Sequence, residues 1–309
     1  MPLKMRYERL DVISHVAELG SLSKAAKALG IAQSAVSRHI ALLEERWGDR
    51  LFERTGRGVT LSGFGQRMLP QVRALLAQAQ RLDDLAHEAS GIPSGVVHVG
   101  MLPSITRHVI GQLMTAMSAK YPAVLLRITE GFSGALDEQV TFGHLDLAVI
   151  NRYGRTAPRG EEVLARMDTY LVGRPGNPLL ATGQITFSQL SKVALAVPSA
   201  PNGLRAMLDQ IARRKRVQLN IRIEIDTISA IKDVVRQSDV CGLMPYAAVY
   251  EEARAGMLMS ARVLQPSIPR TITVGITRQR PISRATRAVL SELANLVPLA
   301  VRKYGAPPT

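Results

Sequence analysis

The chain has 309 residues, 46% of them hydrophobic, with a formal charge of +14 and a pI near 10.5, a composition that excludes a disordered chain and suffices for two or three compact units. No apolar run reaches membrane-spanning length and the N-terminus carries mixed charges, so neither a membrane span nor an export signal is expected, and the compartment is expected to be the cytoplasm. The single cysteine, Cys241, excludes an intramolecular disulfide and offers no metal-ligand spacing.

Gly20 to Trp47 holds two short amphipathic helical patterns separated around Gly30, the layout of a helix-turn-helix. Ser21 is placed to cap the first helix. Ala25, Ala26 and Leu29 give that helix a small apolar face, and Gly30 suits the left-handed residue that turns the chain sharply. In the second pattern Val36, Ile40, Leu43 and Trp47 recur at i, i+4, i+7 and i+11, one buried stripe at the helical period. The opposite face presents Gln33, Ser34, Ser37 and Arg38, joined by Ser23 from the first helix, to base edges and phosphates in a major groove. Gln33 is assigned to reading and Arg38 to anchoring. Spacing alone fits equally a helical hairpin whose polar face is wet. Leu51 to Ser62 then reads as a two-stranded wing with Arg54 and Arg57 at its tip beside the DNA backbone, which favours the DNA reading.

From Ser62 to Ser90 the pattern predicts one long helix. Met68, Val72, Leu75, Ala79, Leu82, Ala86 and Ala89 alternate in steps of four and three, the seam of a two-helix coiled coil and hence of a dimer. The alternative is a single helix packed on its own domain. Pro70 is expected to bend the helix or cost it a backbone bond. Gly91-Ile92-Pro93-Ser94-Gly95 ends it as a hinge.

Beyond the hinge, strand-like and helix-like stretches alternate, predicting α/β with parallel strands. Strands are expected at Val96–Met101, Leu125–Glu130 and Leu145–Ile150, and again at Val193–Val197, Ile221–Asp226 and Cys241–Met244. The two sets are related by a shift of 95 residues: Pro103-Ser104 recurs as Pro198-Ser199, Arg127-Ile128 as Arg222-Ile223, and Leu136 and Val140 as Ile231 and Val235. Two similar halves imply a cleft between them, beyond the carboxyl ends of the strands. Ser104, Thr106, Ser133, Ser199 and Asn202 lie there near helix starts, where hydroxyls and free N–H groups hold an anion, and Thr227 and Arg152 are further expected contacts. Taken singly, each serine reads first as a helix cap. The chain is expected to cross between halves near Leu164–Val172 and back near Val263–Thr277.

Charge is unevenly spread. Residues 1–90 hold 13 Lys and Arg against 10 Asp and Glu, whereas residues 91–309 hold 26 against 15. The excess outside the DNA-reading part points to an anionic effector or to extra DNA contact by the C-terminal region. Arg213-Arg214-Lys215-Arg216, its densest cluster, reads as a solvated helix end. The histidines (15, 39, 87, 98, 108 and 144) are scattered without ligand spacing, and Gly131-Phe132-Ser133-Gly134 lacks the second half of a nucleophile elbow, so no catalytic residue, metal or cofactor is expected.

The run Leu10 to Gly65 carries Gly20-Ser21-Leu22, Ala25-Ala26, Leu29, Gln33, Val36-Ser37, Ile40, Leu42-Leu43-Glu44, Gly48, Leu51-Phe52, Arg54 and Leu61. In these residues it resembles, without gaps, the N-terminal domain of LysR-type transcriptional regulators. Ser34 departs from the family's proline, Trp47 from a smaller aliphatic residue, and Ser62-Gly63-Phe64-Gly65 from Thr-x-Ala-Gly. The resemblance continues more loosely downstream. It implies a two-lobed, periplasmic-binding-protein-like C-terminal domain with mixed, mainly parallel sheets, and a small effector in its cleft. It further implies a dimerising linker helix, a homodimer or homotetramer, double-stranded operator DNA as partner and RNA polymerase as a further candidate partner. The fold expected is therefore α/β with an all-α, winged-helix N-terminal domain. On this division residues 1–61 read DNA, 62–90 form the linker helix and 91–309 bind the effector, with lobe I about 95–164 and 270–304 and lobe II about 165–268. Two other classes remain as alternatives, a solute-sequestering protein and an architectural DNA-binding protein without effector.

Overall fold

The computed structural model describes residues 7–56, 58–88, 92–154 and 161–307, and the chain divides after Ala89 into two units. In the first, helix α1 (Tyr7–Leu19) is followed by α2 (Leu22–Leu29) and α3 (Gln33–Trp47). Ser21 is the extended N-cap of α2, accepting from the Lys24 N–H, and Gly30 ends the helix at φ 66°. Leu10, Ile13 and Val16 of α1 close over Ala25, Ala26, Val36, Ile40 and Leu43, where the two alanines let the helices approach closely. Each large aliphatic side chain so buried contributes about 1.5–3 kcal/mol.

Strands β1 (Phe52–Thr55) and β2 (Gly58–Leu61) form the antiparallel wing, Phe52 facing Leu61. The Glu44 carboxylate of α3 accepts from the Leu51 and Phe52 N–H groups at 2.7 and 3.3 Å, so the wing hangs from the end of that helix. Helix α4 (Gly63–Glu88) starts where Ser62 Oγ takes the Gly65 N–H at 2.9 Å. Gly65 itself is dictated by packing, because a Cβ there would stand 2.1 Å from the Leu51 carbonyl oxygen. The helix runs unbroken through Pro70.

One expectation changes here. Val72 is buried in the core of this unit, and Met68, Leu69, Leu75 and Leu76 pack against it. The first half of the predicted seam therefore serves its own domain, since a three-helix unit this small needs a fourth helix to cover its apolar face. The side chains of Leu82 and Ala86, and Ala89 altogether, lie outside the described residues, as do Ser90 and Gly91 of the hinge region.

The second unit begins with β3 (Gly95–Met101), α5 (Pro103–Lys120), β4 (Val124–Glu130), α6 (Ser133–Thr141), β5 (Leu147–Tyr153) and β6 (Glu162–Met167). The chain crosses at Asp168-Thr169 into β7 (Tyr170–Gly173), β8 (Gln184–Thr186), β9 (Ala194–Val197), α7 (Gly203–Lys215), β10 (Asn220–Glu224), α8 (Ile228–Gln237), β11 (Cys241–Met244), α9 (Tyr250–Arg254) and β12 (Met259–Leu264). It returns through residues 265–269 to β13 (Arg270–Ile276) and α10 (Arg284–Tyr304). Two sheets result, ordered β4-β3-β5-β13-β6 and β10-β9-β11-β7-β12-β8. Both are mixed, parallel through β4-β3-β5 and β10-β9-β11 and antiparallel around the crossing strands.

The element order βαβαβ occurs twice, and a 95-residue shift carries β4 onto β10 and α6 onto α8. Helix α7 departs from the repeat: it starts at Gly203 because the Asn202 side chain caps it, taking the Leu204 N–H at 2.9 Å, and residues 198–202 form a loop where α5 has its first turn. It ends in Arg213, Arg214, Lys215 and Arg216, all exposed, where cations complement the helix dipole.

Lobe I buries Val97, Val99, Met101, Leu113 and Val274 beneath α5 and α10; lobe II buries Leu171, Phe187, Leu195, Leu208 and Leu243. The two crossings are stitched together at Thr169, which is fully buried. Its Oγ1 donates to the Ile268 carbonyl at 2.8 Å and accepts from Arg270 Nη2 at 3.1 Å.

Candidate functional site

Two surfaces carry the residues singled out by sequence. On α3, Gln33, Ser34, Ser37 and Arg38 are all exposed, while Val36, Ile40 and Leu43 are buried on the opposite side. Ser23 Oγ donates to Gln33 Oε1 at 3.0 Å, linking the starts of α2 and α3. The N-cap of α3 is Ala32, which supplies no side-chain bond, and no acidic residue sits in the first turn, so the helix start offers free N–H groups beside Gln33. Arg54 is exposed on β1. Arg57 lies outside the described residues.

Two departures from the family pattern meet in this unit. Trp47 packs edge-on against Phe64, ring centroids 6.4 Å apart, so the larger residue at the end of α3 is matched by an aromatic in α4.

Between the lobes of the second unit lies a cavity enclosing about 530 Å³ of space, part of it open to solvent. Leu102 and Ser104 at the start of α5, Phe132 and Ser133 at the start of α6, and Asn151 and Tyr153 of β5 line it from lobe I. Asn202 to Leu204, Ile228, Ile231 and Leu243 to Pro245 line it from lobe II, and Arg270 from the returning crossing. Neither α5 nor α6 has a side-chain cap; Pro103 has no N–H, so α5 offers that of Ser104, while α6 offers its first N–H groups.

Of the expected effector contacts, Ser104, Ser133 and Asn202 line this cavity. Ser133 Oγ also accepts the Asn151 N–H at 2.9 Å. Four others sit elsewhere. Thr106 Oγ1 turns back to the Leu102 carbonyl at 3.0 Å. Ser199 donates its N–H to Asp226 at 2.9 Å without reaching the cavity, because residues 198–202 are loop rather than helix. Thr227 is the exposed N-cap of α8. Arg152 is consumed by Asp137 and Glu161, whose carboxylates take its Nε, Nη1 and Nη2.

The charged group that does line the cavity is Arg270, which sequence reasoning missed. It is 3% exposed, lies over the Tyr153 ring at 5.4 Å and bonds Thr169, yet its Nε has no acceptor among the described residues. Burial pushes its pKa below the ordinary guanidinium range, with Tyr153 and Asp168 opposing that shift. Burial likewise raises the Tyr153 phenol. Asn151 Oδ1 is also buried without a partner among the described residues. A buried cation and a buried amide, both incompletely satisfied and lining one cavity, are the features of a polar binding site.

Residues 7–66 match the bacterial regulatory helix-turn-helix protein model of the lysR family, and residues 90–297 match the LysR substrate binding domain. The chain belongs to the LysR family of transcriptional regulators. Among curated relatives of this LysR regulator, the nitrogen assimilation regulatory protein nac of Escherichia coli is 26% identical over 295 residues, covering 95% of each chain. The crystal structure of CbnR, a LysR family transcriptional regulator, shares the fold at TM-score 0.66 and 18% identity, over 98% of this chain and 100% of that one. Full-length CbnR in complex with its target DNA gives 0.65 at 18% identity, over 96% and 100%. The first unit of this LysR regulator is thus a DNA-binding domain and the second the family's substrate-binding domain. Among the described residues no helix is long and apolar enough to cross a membrane.

Proposed function

We propose that this LysR regulator reads operator DNA with Gln33, Ser34, Ser37 and Arg38 of α3, supported by Ser23, Arg54 and Arg57, and that a small anion bound between its lobes controls the outcome. Residues 1–61, 62–90 and 91–309 then act as reader, linker and sensor. Self-association runs through the later part of α4 to a dimer or tetramer. RNA polymerase is the further partner, and the cytoplasm the compartment. CbnR, solved with its target DNA, supports the DNA partner.

The anionic effector rests on one observation: Arg270 lines the cavity, buried and with no carboxylate bonded to it among the described residues. Buried charges in proteins are paired, and an acid in the cavity supplies the missing partner. Arg270 also bonds Thr169, where the two crossings are stitched, so an anion drawn to it acts at the hinge between lobes.

The test is a footprint on a duplex that the protein itself selects from a random-sequence pool, with and without small organic acids that raise its melting temperature. An acid that shifts both melt and footprint is expected. A footprint unchanged at saturating acid overturns the coupling, and a melt that no organic acid shifts overturns the anion.

A further inference from the structure

The geometry points to a narrower ligand class: a monocarboxylate that carries a hydroxyl on an apolar body. This rests on the anion-binding reading above and adds to it the count of charges and the placement of polar groups.

Arg270 is the single charged residue among those lining the cavity. One carboxylate neutralises it. A second carboxylate would be buried with no cation against it, a cost that ordinarily exceeds what added contacts return.

The hydroxyl follows from Asn151. Its backbone N–H is taken by Ser133, but its buried Oδ1 has no partner among the described residues, and Ser104, 2% exposed and lining the same cavity, makes no side-chain hydrogen bond to any of them. A ligand hydroxyl both donates and accepts, so it satisfies the amide in either orientation and the serine as well. An acid lacking that group leaves the amide unpaired, which is how buried polar sites discriminate.

The apolar body follows from the other wall. Leu204, Ile228, Ile231, Leu243 and Met244 make most of the lobe II lining apolar, and Leu102 and Phe132 add to it from lobe I. The ligand is therefore oriented with its carboxylate at Arg270, its hydroxyl at Asn151 and its carbon skeleton on lobe II.

Isothermal titration of the full chain tests this with four probe sets matched in size: hydroxy acids (3-hydroxyhexanoate, mandelate, 3- and 4-hydroxybenzoate), parent acids (hexanoate, benzoate), diacids (adipate, phthalate) and alcohols (hexanol, benzyl alcohol). At least one hydroxy acid is expected to bind about tenfold or more tighter than its parent acid and than either diacid. Asn151→Ala is expected to erase the preference over the parent acid, the parent binding at least as tightly as before because no buried amide is then left unpaired. Arg270→Met is expected to abolish acid binding. Because Arg270 also bonds Thr169 where the two crossings meet, Asn151→Ala carries the test independently.

Parent acids or diacids binding as tightly as the hydroxy acids overturn the ligand class and leave the anion reading standing. So does a hydroxyl preference that survives Asn151→Ala. Alcohols binding as tightly as acids, or no acid binding at all, overturn the anion reading itself.

Discussion

His108 holds Ala247 across the lobes. Its Nε2 donates to the Ala247 carbonyl oxygen at 2.8 Å, and its ring lies on Tyr304 with centroids 4.1 Å apart. His108 belongs to α5 of lobe I, whereas Ala247 follows β11 of lobe II yet is buried among lobe I side chains. Arg107 adds a bond to the Ala248 carbonyl at 3.2 Å. The clasp sits one turn along α5 from Ser104 and two residues along the chain from Pro245, both of which line the cavity. Cavity lining and the interlobe clasp thus share two short stretches of backbone.

Stability is expected to fall with pH through this clasp. Burial lowers the His108 pKa below 6.5; of its other neighbours, Arg107 acts the same way while the Ala247 bond and Glu251 oppose. Tyr250 and Tyr304 pack against the ring, and Lys303 lies over Tyr304. The unfolded chain therefore takes up a proton before the native one does, and native stability declines as pH drops through 6.5. Asp146, Glu161 and Glu252, all lowered, contribute stability that is lost only further down, below their unfolded values near 3.8 to 4.5. His108→Gln keeps a donor for Ala247 but cannot charge. Denaturant melts between about pH 5 and pH 7 should show a smaller slope for the variant; equal slopes would remove His108 as the cause.

On the DNA face, Gln33→Ala should cost discrimination at a base pair rather than affinity everywhere, about 1–3 kcal/mol against the preferred sequence. Arg38→Ala should weaken binding to all sequences alike and reduce the salt dependence by about one phosphate contact. Ser23→Ala, which frees Gln33 from its 3.0 Å partner, should fall between wild type and Gln33→Ala. Binding to a selected duplex and to a scrambled one, across salt concentrations, separates the three. Full preference retained by the Gln33→Ala, Arg38→Ala double variant would show that another surface reads the sequence.

Periodicity made α2, α3 and the doubled βαβαβ order legible, because each depends on local spacing: caps at Ser21 and Gly30, a stripe from Val36 to Leu43, apolar runs of strand length. The cavity was partly legible for the same reason, since Ser104 and Ser133 follow strands directly. Arg270 was not. In sequence it is one basic residue after Ile268-Pro269, and only the crossing of β12 into β13 brings it to the cavity. Arg152 shows the reverse: a cation after a strand looks available until Asp137 and Glu161 are seen to take its donors. The first half of the α4 seam misled because helical period reports an apolar face without saying which partner covers it.

Gly65→Ala is expected to disable the DNA-binding unit specifically. The added Cβ would stand 2.1 Å from the Leu51 carbonyl oxygen and 3.0 Å from Leu61 Cδ2, so the start of α4 or the wing must shift. The loss should exceed the ~1 kcal/mol typical of point substitutions. Calorimetry of the full chain should show the transition of this unit lowered and that of the second unit unchanged. A variant that melts and binds DNA like wild type would mean that the close approach is readily relaxed.

Arg152 and Arg270 both lie in β-strands of lobe I, and their variants should fail differently. Arg152 is fully engaged by carboxylates, and Glu161, held below its usual range chiefly by Arg152 and Thr273 against the effect of burial, depends on it. Arg152→Met strands two partly buried carboxylates and is expected to cost roughly 3 kcal/mol or less, since Thr273 still donates to Glu161. It should leave acid binding in the cavity near its wild-type strength, because Arg152 does not line it. Arg270→Met should instead eliminate acid binding while removing no ion pair, and its own desolvation cost disappears with it, so its stability loss should be the smaller of the two. Thermal melts with and without a bound acid give both quantities for each variant. If Arg152→Met loses acid binding as completely as Arg270→Met does, the assignment of Arg270 as the sole anchor for the anion is wrong, and Asp137 and Glu161 must then release Arg152 when the ligand enters.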